Sequence, residues 1–95
     1  MSVMNISIGQ LVTSNAGRDQ TNVYLVIGIL PNKNLLLANG RERKFKNPKQ
    51  KNSRHVNVLN EFAQGVAERI QSGMKITDEE LRQAIKILHK PENLG

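Results

Sequence analysis

The first sixty residues alternate short apolar runs with turn-forming residues, a pattern typical of β-strands. The segment Ile8–Ser14 is rich in β-branched and apolar residues and is predicted to be a strand. The segment Val23–Leu30 is apolar at almost every position, which predicts a central strand buried on both faces, with a bulge or a close backbone approach at Gly28. Two shorter segments, Leu35–Ala38 and His55–Leu59, are predicted to be strands as well.

Asn39 and Gly40 directly follow the third predicted strand. Both residue types tolerate the positive φ of a type I′ turn, so the pair predicts a two-residue hairpin. The returning strand would be Arg41–Lys46, and the polar segment Asn47–Ser53 would be a loop. With this hairpin the first sixty residues hold five short strands, which predicts a small curled barrel.

The spacing of apolar residues changes from two to about four near residue 61. Phe62, Val66 and Ile70 recur at four-residue intervals, which predicts a first helix that ends at Gly73. The following Thr-Asp-Glu-Glu segment, residues 77–80, matches a capping box at the start of a second helix, whose apolar stripe follows.

These patterns together predict a mainly β fold with C-terminal helices, of the α+β class. We expect a five-stranded barrel in residues 1–60 and a helical C-terminal extension in residues 61–95, packed on or beside the barrel.

The chain is 95 residues long and contains no cysteine. This length predicts one small domain, and the lack of cysteine excludes disulfides, thiolate metal sites and cysteine nucleophiles. Small secreted domains usually need disulfides, so we expect a cytoplasmic protein. No apolar run approaches the roughly 20 residues of a membrane span, and the first residues lack a signal-peptide pattern, so we expect no membrane partner.

The residues that could support catalysis are scattered. His55 and His89 have no second histidine or acidic cluster at metal-ligand spacing, and the serines lack the context of a nucleophile. The chain also has no glycine-rich phosphate loop. We therefore expect no enzymatic activity, no catalytic residues, no metal, no cofactor and no small-molecule substrate.

The net charge of +6 is concentrated in one segment. Between Arg41 and Arg54 there are seven cations and one acid, Glu42, so this window alone carries +6 and the remainder of the chain is neutral. Such a focused patch indicates a polyanionic partner, with nucleic acid as the first choice and an anionic membrane surface as the second. The alternative is a solvated edge strand whose charges prevent aggregation.

The candidate RNA-binding residues are cations and neutral hydrogen-bonding side chains in or near this segment. Arginines can fork onto phosphates, and lysines add point charges. Phe45 and His55 flank the loop and could stack on a base, although Phe45 suits the core equally well. Because only 3% of the residues are aromatic, recognition of the backbone and shape of folded RNA is favoured over a stacking platform. The candidates are Arg18, Arg41, Arg43, Lys44, Lys46, Asn47, Lys49, Lys51, Asn52, Arg54 and His55.

The stretch from Ile8 to Leu30, IGQLVTSNAGRDQTNVYLVIGIL, resembles a KOW motif, in which a glycine-containing loop joins two strands. The later residues LLLANGRERKFKNPKQKNSRHV are similar to the second half of the barrel in small bacterial KOW-domain RNA-binding proteins. That group is similar to archaeal and eukaryotic large-subunit ribosomal proteins of the KOW class. The resemblance covers roughly residues 6–60 closely and the helical tail more loosely. It implies an SH3-like barrel that binds RNA, usually ribosomal RNA, through its loops.

The resemblance places Gly17, Arg18 and Asp19 in the KOW loop. It places residues 44–55 in a second, positively charged loop and at the start of the last strand. Gly17, Asn39 and Gly40 would be structural turn residues. Some family members have an acidic residue at the position of Asn39, so we expect no role for that side chain beyond the turn.

The leading hypothesis is a non-catalytic, ribosome-associated RNA-binding protein that contacts phosphates through residues 41–55 and the KOW loop, residues 15–19. The alternative is a protein-interaction module of the transcription or translation machinery, which docks through the barrel or the helix in residues 77–90. A third possibility is non-specific DNA binding.

Overall fold

The computed structural model describes residues 6–14 and 22–89. In these ranges five strands form one antiparallel sheet, and two helices follow it. The mainly β fold with C-terminal helices that the sequence predicts is confirmed. The strands are β1 (Gln10–Ser14), β2 (Val23–Leu30), β3 (Asn34–Ala38), β4 (Lys49–Asn52) and β5 (Val56–Phe62), and the helices are α1 (Gln64–Gln71) and α2 (Asp78–Leu88).

The sheet is strongly curled but open. Its strand order is β4-β3-β2-β1-β5, so β4 and β5 lie at opposite edges, yet only the 3₁₀ turn Ser53–His55 joins them. In a flat sheet these edges would be about 19 Å apart, whereas three residues of 3₁₀ helix rise only about 6 Å. Within the described ranges no ladder joins β4 to β5, so the curled sheet does not close into the expected barrel.

The concave face of the sheet contains one of two buried clusters. Lys51 on β4 donates from its Nζ to the hydroxyl of Ser14 on β1, 3.3 Å away, although three strand spacings separate these strands. The face that carries both side chains must therefore be concave. Residues paired directly across antiparallel strands share a face, so the pairing of β4 with β3 puts Lys49 beside Leu37 on this face. The cluster consists of Val12, Tyr24, Val26, Leu35, Leu37 and Val56.

The two helices cover the convex face. A second buried cluster lies between the helices and this face. Its sheet residues alternate along β1 and β2 with those of the concave cluster, as the two-residue repeat of a strand requires. Helix residues and the connection before α2 complete it, so the helices and the sheet share one core. The buried members of the convex cluster are Leu11, Leu25, Ile27, Ala38, Ala63, Val66, Ile76 and Leu81.

The irregularity predicted at Gly28 is confirmed. The register between β2 and β3 shifts between Val26 and Gly28, as a β-bulge requires. A Cβ atom at Gly28 would lie 2.9 Å from Cδ1 of Leu36, so the neighbouring strand side chain approaches the glycine backbone closely.

Both helix boundaries that local sequence signals predicted are confirmed. Gly73 has a φ of +85° and its N–H donates to the Ile70 carbonyl at 3.0 Å, while Met74 donates to Arg69 at 2.9 Å. These two bonds form a Schellman motif at the end of α1. At the start of α2 the backbone N–H of Thr77 donates to Oε1 of Glu80 at 2.8 Å, and Glu80 returns a bond to the Thr77 hydroxyl at 3.1 Å.

Glu80 also links the two helices, which makes helix stability sensitive to pH. The backbone bond from Thr77 and then the bond from Arg69, whose Nη2 lies 2.7 Å from Oε2, lower the pKa of Glu80. A lowered folded-state pKa contributes stability above the unfolded-state value of about 4.3, and this contribution is lost as pH falls through the folded-state pKa.

We expect Glu80→Gln to lower the melting temperature at pH 7, with a deficit that shrinks as the pH falls below about 4. Thermal unfolding at pH 7, 5 and 3 measures this. Glu79→Gln is the matched control, because Glu79 lies in the same helical turn and is exposed. A Glu80→Gln deficit of equal size at all three pH values would contradict the electrostatic origin.

Candidate nucleic-acid interface

The predicted RNA-binding residues from Arg41 to His55 lie on three consecutive elements. The first is the connection between β3 and β4, residues 39–48, which we call the basic loop. The others are β4 and the 3₁₀ turn Ser53–His55. The KOW loop, residues 15–19, lies outside the described residues, and with it the predicted RNA contact Arg18 and the predicted turn residue Gly17. The basic loop holds Arg41, Arg43, Lys44, Lys46 and Asn47, β4 holds Lys49, Lys51 and Asn52, and the turn holds Arg54 and His55.

The predicted returning strand Arg41–Lys46 is wrong. These residues form turns and bends, and the strand that pairs with β3 is Lys49–Asn52, which lies in the segment predicted to be a loop. Gly40 has the expected positive φ of +78°, but Asn39 does not, so the turn is not of type I′.

The side chain of Asn39 explains this different course. Asn39 is 5% exposed, and its Oδ1 accepts from the backbone N–H groups of Arg41 at 3.0 Å and Arg43 at 3.1 Å. Its Nδ2 donates to Oε1 of Glu42 at 2.9 Å. The N–H groups of Asn39 and Gly40 both donate to the Arg43 carbonyl. Since these bonds fold residues 39–43 back on themselves, this stretch is not available to the β3 ladder.

Asn39 is therefore a structural turn residue, but through its side chain rather than through backbone tolerance. We expect Asn39→Ala to lower the free energy of unfolding by about 2–3 kcal/mol, because two partly buried N–H groups lose their acceptor. Urea denaturation measures this loss. Asn39→Asp keeps both acceptor bonds but places a second carboxylate beside Glu42, so we expect an intermediate loss.

Asn57→Ala is the control for this substitution. Asn57 is exposed on β5 and its side chain makes one bond, at 3.5 Å, to the hydroxyl of Thr13. We expect its loss to stay below about 0.5 kcal/mol. Equal stability of the Asn39→Ala and Asn57→Ala variants would refute the account of the turn.

Helix α2 contacts the basic loop at two points. Nη1 of Arg82 donates to the carbonyl of Gly40 at 2.7 Å, and the backbone N–H of Phe45 donates to Oδ1 of Asp78 at 2.7 Å. The ring of Phe45 is half-buried against the convex cluster. This packing favours the core interpretation of Phe45 over base stacking, and it fixes the middle of the loop on the body of the protein.

Most cations of the basic loop face solvent. Arg41, Lys44 and Lys46 are exposed, and Arg43 is half-buried. In the 3₁₀ turn that follows β4, Arg54 and His55 are exposed too. These side chains can reach a large ligand without a change in the fold, as contacts to a phosphate backbone require.

The lysines of β4 are placed differently. Lys49 and Lys51 are half-buried on the concave face, and Nζ of Lys49 lies 5.6 Å from the centroid of the Tyr24 ring, within cation–π range. Burial, and then the neighbouring charge of Lys51, lower the pKa of Lys49. An anion near this pair would offset the repulsion between the two ammonium groups.

Two features of the described residues bear on other functions. The described residues contain no helix that is both long enough and apolar enough to span a membrane. They also contain no group of three histidine, aspartate or glutamate residues that could hold a metal ion.

A curated relative matches this chain over nearly the full length of the relative. It is the Bacillus subtilis (strain 168) protein named "Putative ribosome-binding protein YbzG", which is 34% identical over 71 residues, 75% of this chain and 96% of the relative. The chain belongs to the YbzG family. No protein-family model matches the chain. The name of this relative describes a binding role and no reaction.

Proposed function

We propose that this protein is a non-catalytic RNA-binding protein that associates with the ribosome. The observation that carries the proposal is the concentration of the whole net charge in residues 41–54, which form one loop, one edge strand and one turn in direct succession. Membership in a family with a relative named as ribosome-binding supports the ribosome as the place where this charge acts.

The finer part of the proposal is a KOW-class module that binds ribosomal RNA of the large subunit. The antiparallel order β4-β3-β2-β1-β5 and the strong curl of the sheet support it. In this proposal the exposed cations of the basic loop and of the 3₁₀ turn contact phosphates, Lys49 and Lys51 add charge at the sheet edge, and Arg18 in the KOW loop, residues 15–19, assists.

The packing of α2 argues against the protein-interaction alternative for this helix. Leu81 is fully buried, and Ala84, Ile85 and Leu88 pack against the convex cluster. Its apolar stripe is thus used inside the molecule, and the large apolar residue of α2 that is exposed is Ile87, at 63%. Arg41, Lys44 and Lys46 of the basic loop are instead exposed to solvent, which supports RNA as the partner.

Salt titration of binding to a structured ribosomal RNA fragment tests the proposal. If about five phosphates are neutralised, log affinity should fall with log salt at a slope of about −3.5 to −4.5. A flat dependence would contradict phosphate contacts and favour a protein partner. Competition by duplex DNA as effective as that by structured RNA would instead indicate non-specific DNA binding.

A further inference from the structure

The contacts between α2 and the basic loop carry an inference about RNA binding that rests on the proposed function. We infer that Asp78 and Arg82 are positioning residues, which hold the backbone of the basic loop in the shape that presents its cations to phosphates. On this account these two residues of α2 support RNA binding through the loop backbone.

The two contacts are hydrogen bonds to the loop backbone at separate points. Asp78 accepts from the N–H of Phe45, 33 residues earlier in the chain, and Arg82 donates to the carbonyl of Gly40, 42 residues earlier. Asp78 and Arg82 are four residues apart on α2 and thus lie on the same helix face. Both bonds are 2.7 Å long and partly buried, in the range of strong charge-assisted hydrogen bonds.

The loop rests directly on the first turn of α2. A Cβ atom at Gly40 would collide with the carbonyl oxygen of Asp78 and would lie 2.9 Å from Cγ of Arg82. The side chain of Asn39 shapes the start of the loop, and α2 then fixes the position of that turn relative to the sheet.

Phe45 links the contact with α2 to the neighbouring cations. Its amide is bonded to Asp78 and its ring packs against the convex cluster, so it points inward. Lys44 and Lys46, its neighbours on either side, are exposed. Fixing Phe45 therefore holds both lysines at the surface before RNA arrives, which reduces the conformational entropy lost on binding.

The sign of the Asp78 charge separates positioning from electrostatics. Asp78 is an acid beside the segment that carries the positive charge, so Coulomb attraction alone predicts that its removal strengthens RNA binding. The positioning role predicts the opposite, because the loop loses its hold on α2. Asp78→Ala, which removes both the charge and the acceptor for Phe45, therefore gives results of opposite direction under the two accounts.

The test compares Asp78→Ala, Asp78→Asn and Glu79→Ala in binding to a structured ribosomal RNA fragment. We expect Asp78→Ala to weaken binding about tenfold, with an unchanged salt slope because no phosphate contact is removed. Asp78→Asn keeps an acceptor for Phe45 and should bind nearly as well as the wild type. Glu79→Ala removes the same charge from the same helical turn, at an exposed position, and should bind equally well or slightly tighter.

Amide hydrogen exchange of Phe45 shows whether the loop is released. We expect exchange about tenfold faster or more in Asp78→Ala, and near the wild-type rate in Glu79→Ala and Asp78→Asn. If the wild type binds RNA but Asp78→Ala and Glu79→Ala bind it with equal affinity, the positioning role is wrong and the proposed function still stands. Absence of RNA binding by the wild type would overturn the proposed function and this inference together.

Arg82→Gln provides an independent arm. Lys86→Gln is its control, because Lys86 lies one turn further along α2, is exposed and carries the same charge. Arg82→Gln should weaken RNA binding about fivefold more than Lys86→Gln, since Arg82, unlike Lys86, bonds to the Gly40 carbonyl of the loop. Equal effects of the two substitutions would count against the role of Arg82.

Discussion

Gly40→Ala is expected to lower the free energy of unfolding by about 3 kcal/mol, because it combines backbone strain with overpacking. Gly40 has a φ of +78°, which L side chains rarely adopt. The added methyl group would also collide with the carbonyl oxygen of Asp78, which is backbone in the first turn of α2 and cannot move like a flexible side chain. Urea denaturation measures the loss.

Gly73→Ala is the matched control. Gly73 has a similar φ of +85°, but no atom lies within 4 Å of the position of an added Cβ. Only the backbone strain remains there, so we expect a loss of about 1 kcal/mol. If both substitutions cost the same, the close contact between the basic loop and α2 does not contribute to stability.

The double substitution Lys44→Gln and Lys46→Gln is expected to weaken binding to a structured ribosomal RNA fragment about 10- to 50-fold at low salt. Both lysines are exposed and flank the anchored Phe45, so their removal takes away charge without disturbing the core. The salt slope should become shallower by about two, because two phosphate contacts are lost. Binding titrations from low to moderate salt give both quantities.

Lys75→Gln with Lys86→Gln is the control for this pair. Both lysines are exposed; Lys75 lies before α2 and Lys86 lies within it. The control variant therefore has the same net charge as the Lys44→Gln and Lys46→Gln variant. We expect a change below about threefold and an almost unaltered salt slope. If the two double variants lose affinity equally, net charge rather than the basic loop attracts the RNA.

The parts of the fold that the sequence predicts best are those with a local physical cause. Val23–Leu30 is predicted with its observed boundaries, because its apolar character favours burial, and its centre, residues 24–27, is buried although Ile29 is exposed. The capping box at Thr77 and Glu80 and the stop at Gly73 depend on residues within one helical turn. Such signals do not need information from distant parts of the chain.

The position of β4 could not be predicted in this way. Lys49–Asn52 contains no apolar residue, so it lacks the alternation that indicates a strand. It pairs with β3 at the edge of the sheet, and both of its lysines lie on the concave face, where Nζ of Lys49 lies over the Tyr24 ring and Nζ of Lys51 donates to the Ser14 hydroxyl. The Asn39-Gly40 pair predicts the wrong turn, because the side-chain amide of Asn39 is buried and bonds to the loop backbone.

The boundary between β5 and α1 was misplaced for a related reason. Phe62 matches the helical spacing of Val66 and Ile70, but it is the last residue of β5 and pairs with Gln10. The side-chain amide of Gln10 donates to the carbonyls of Leu59 at 2.6 Å and Glu61 at 3.1 Å, within the irregular pairing of β1 and β5. This bonding extends the strand beyond the end that the apolar pattern indicates.

For the candidate site, sequence predicts where the charge lies but not how it is held. The seven cations between Arg41 and Arg54 are visible in the sequence. The bonds from α2 to Gly40 and Phe45 join residues 42 and 33 positions apart, and no spacing rule indicates them. Only the packing of α2 on the convex face brings these groups together.

The most direct test of ribosome association is sedimentation of a cell lysate through a sucrose gradient at low and at high salt. We expect the protein to run with the large subunit at low salt and to move to the top of the gradient at high salt. The Lys44→Gln and Lys46→Gln double variant should already be at the top at a salt concentration where the Lys75→Gln and Lys86→Gln control still sediments. Wild-type protein that stays at the top of the low-salt gradient would contradict the account.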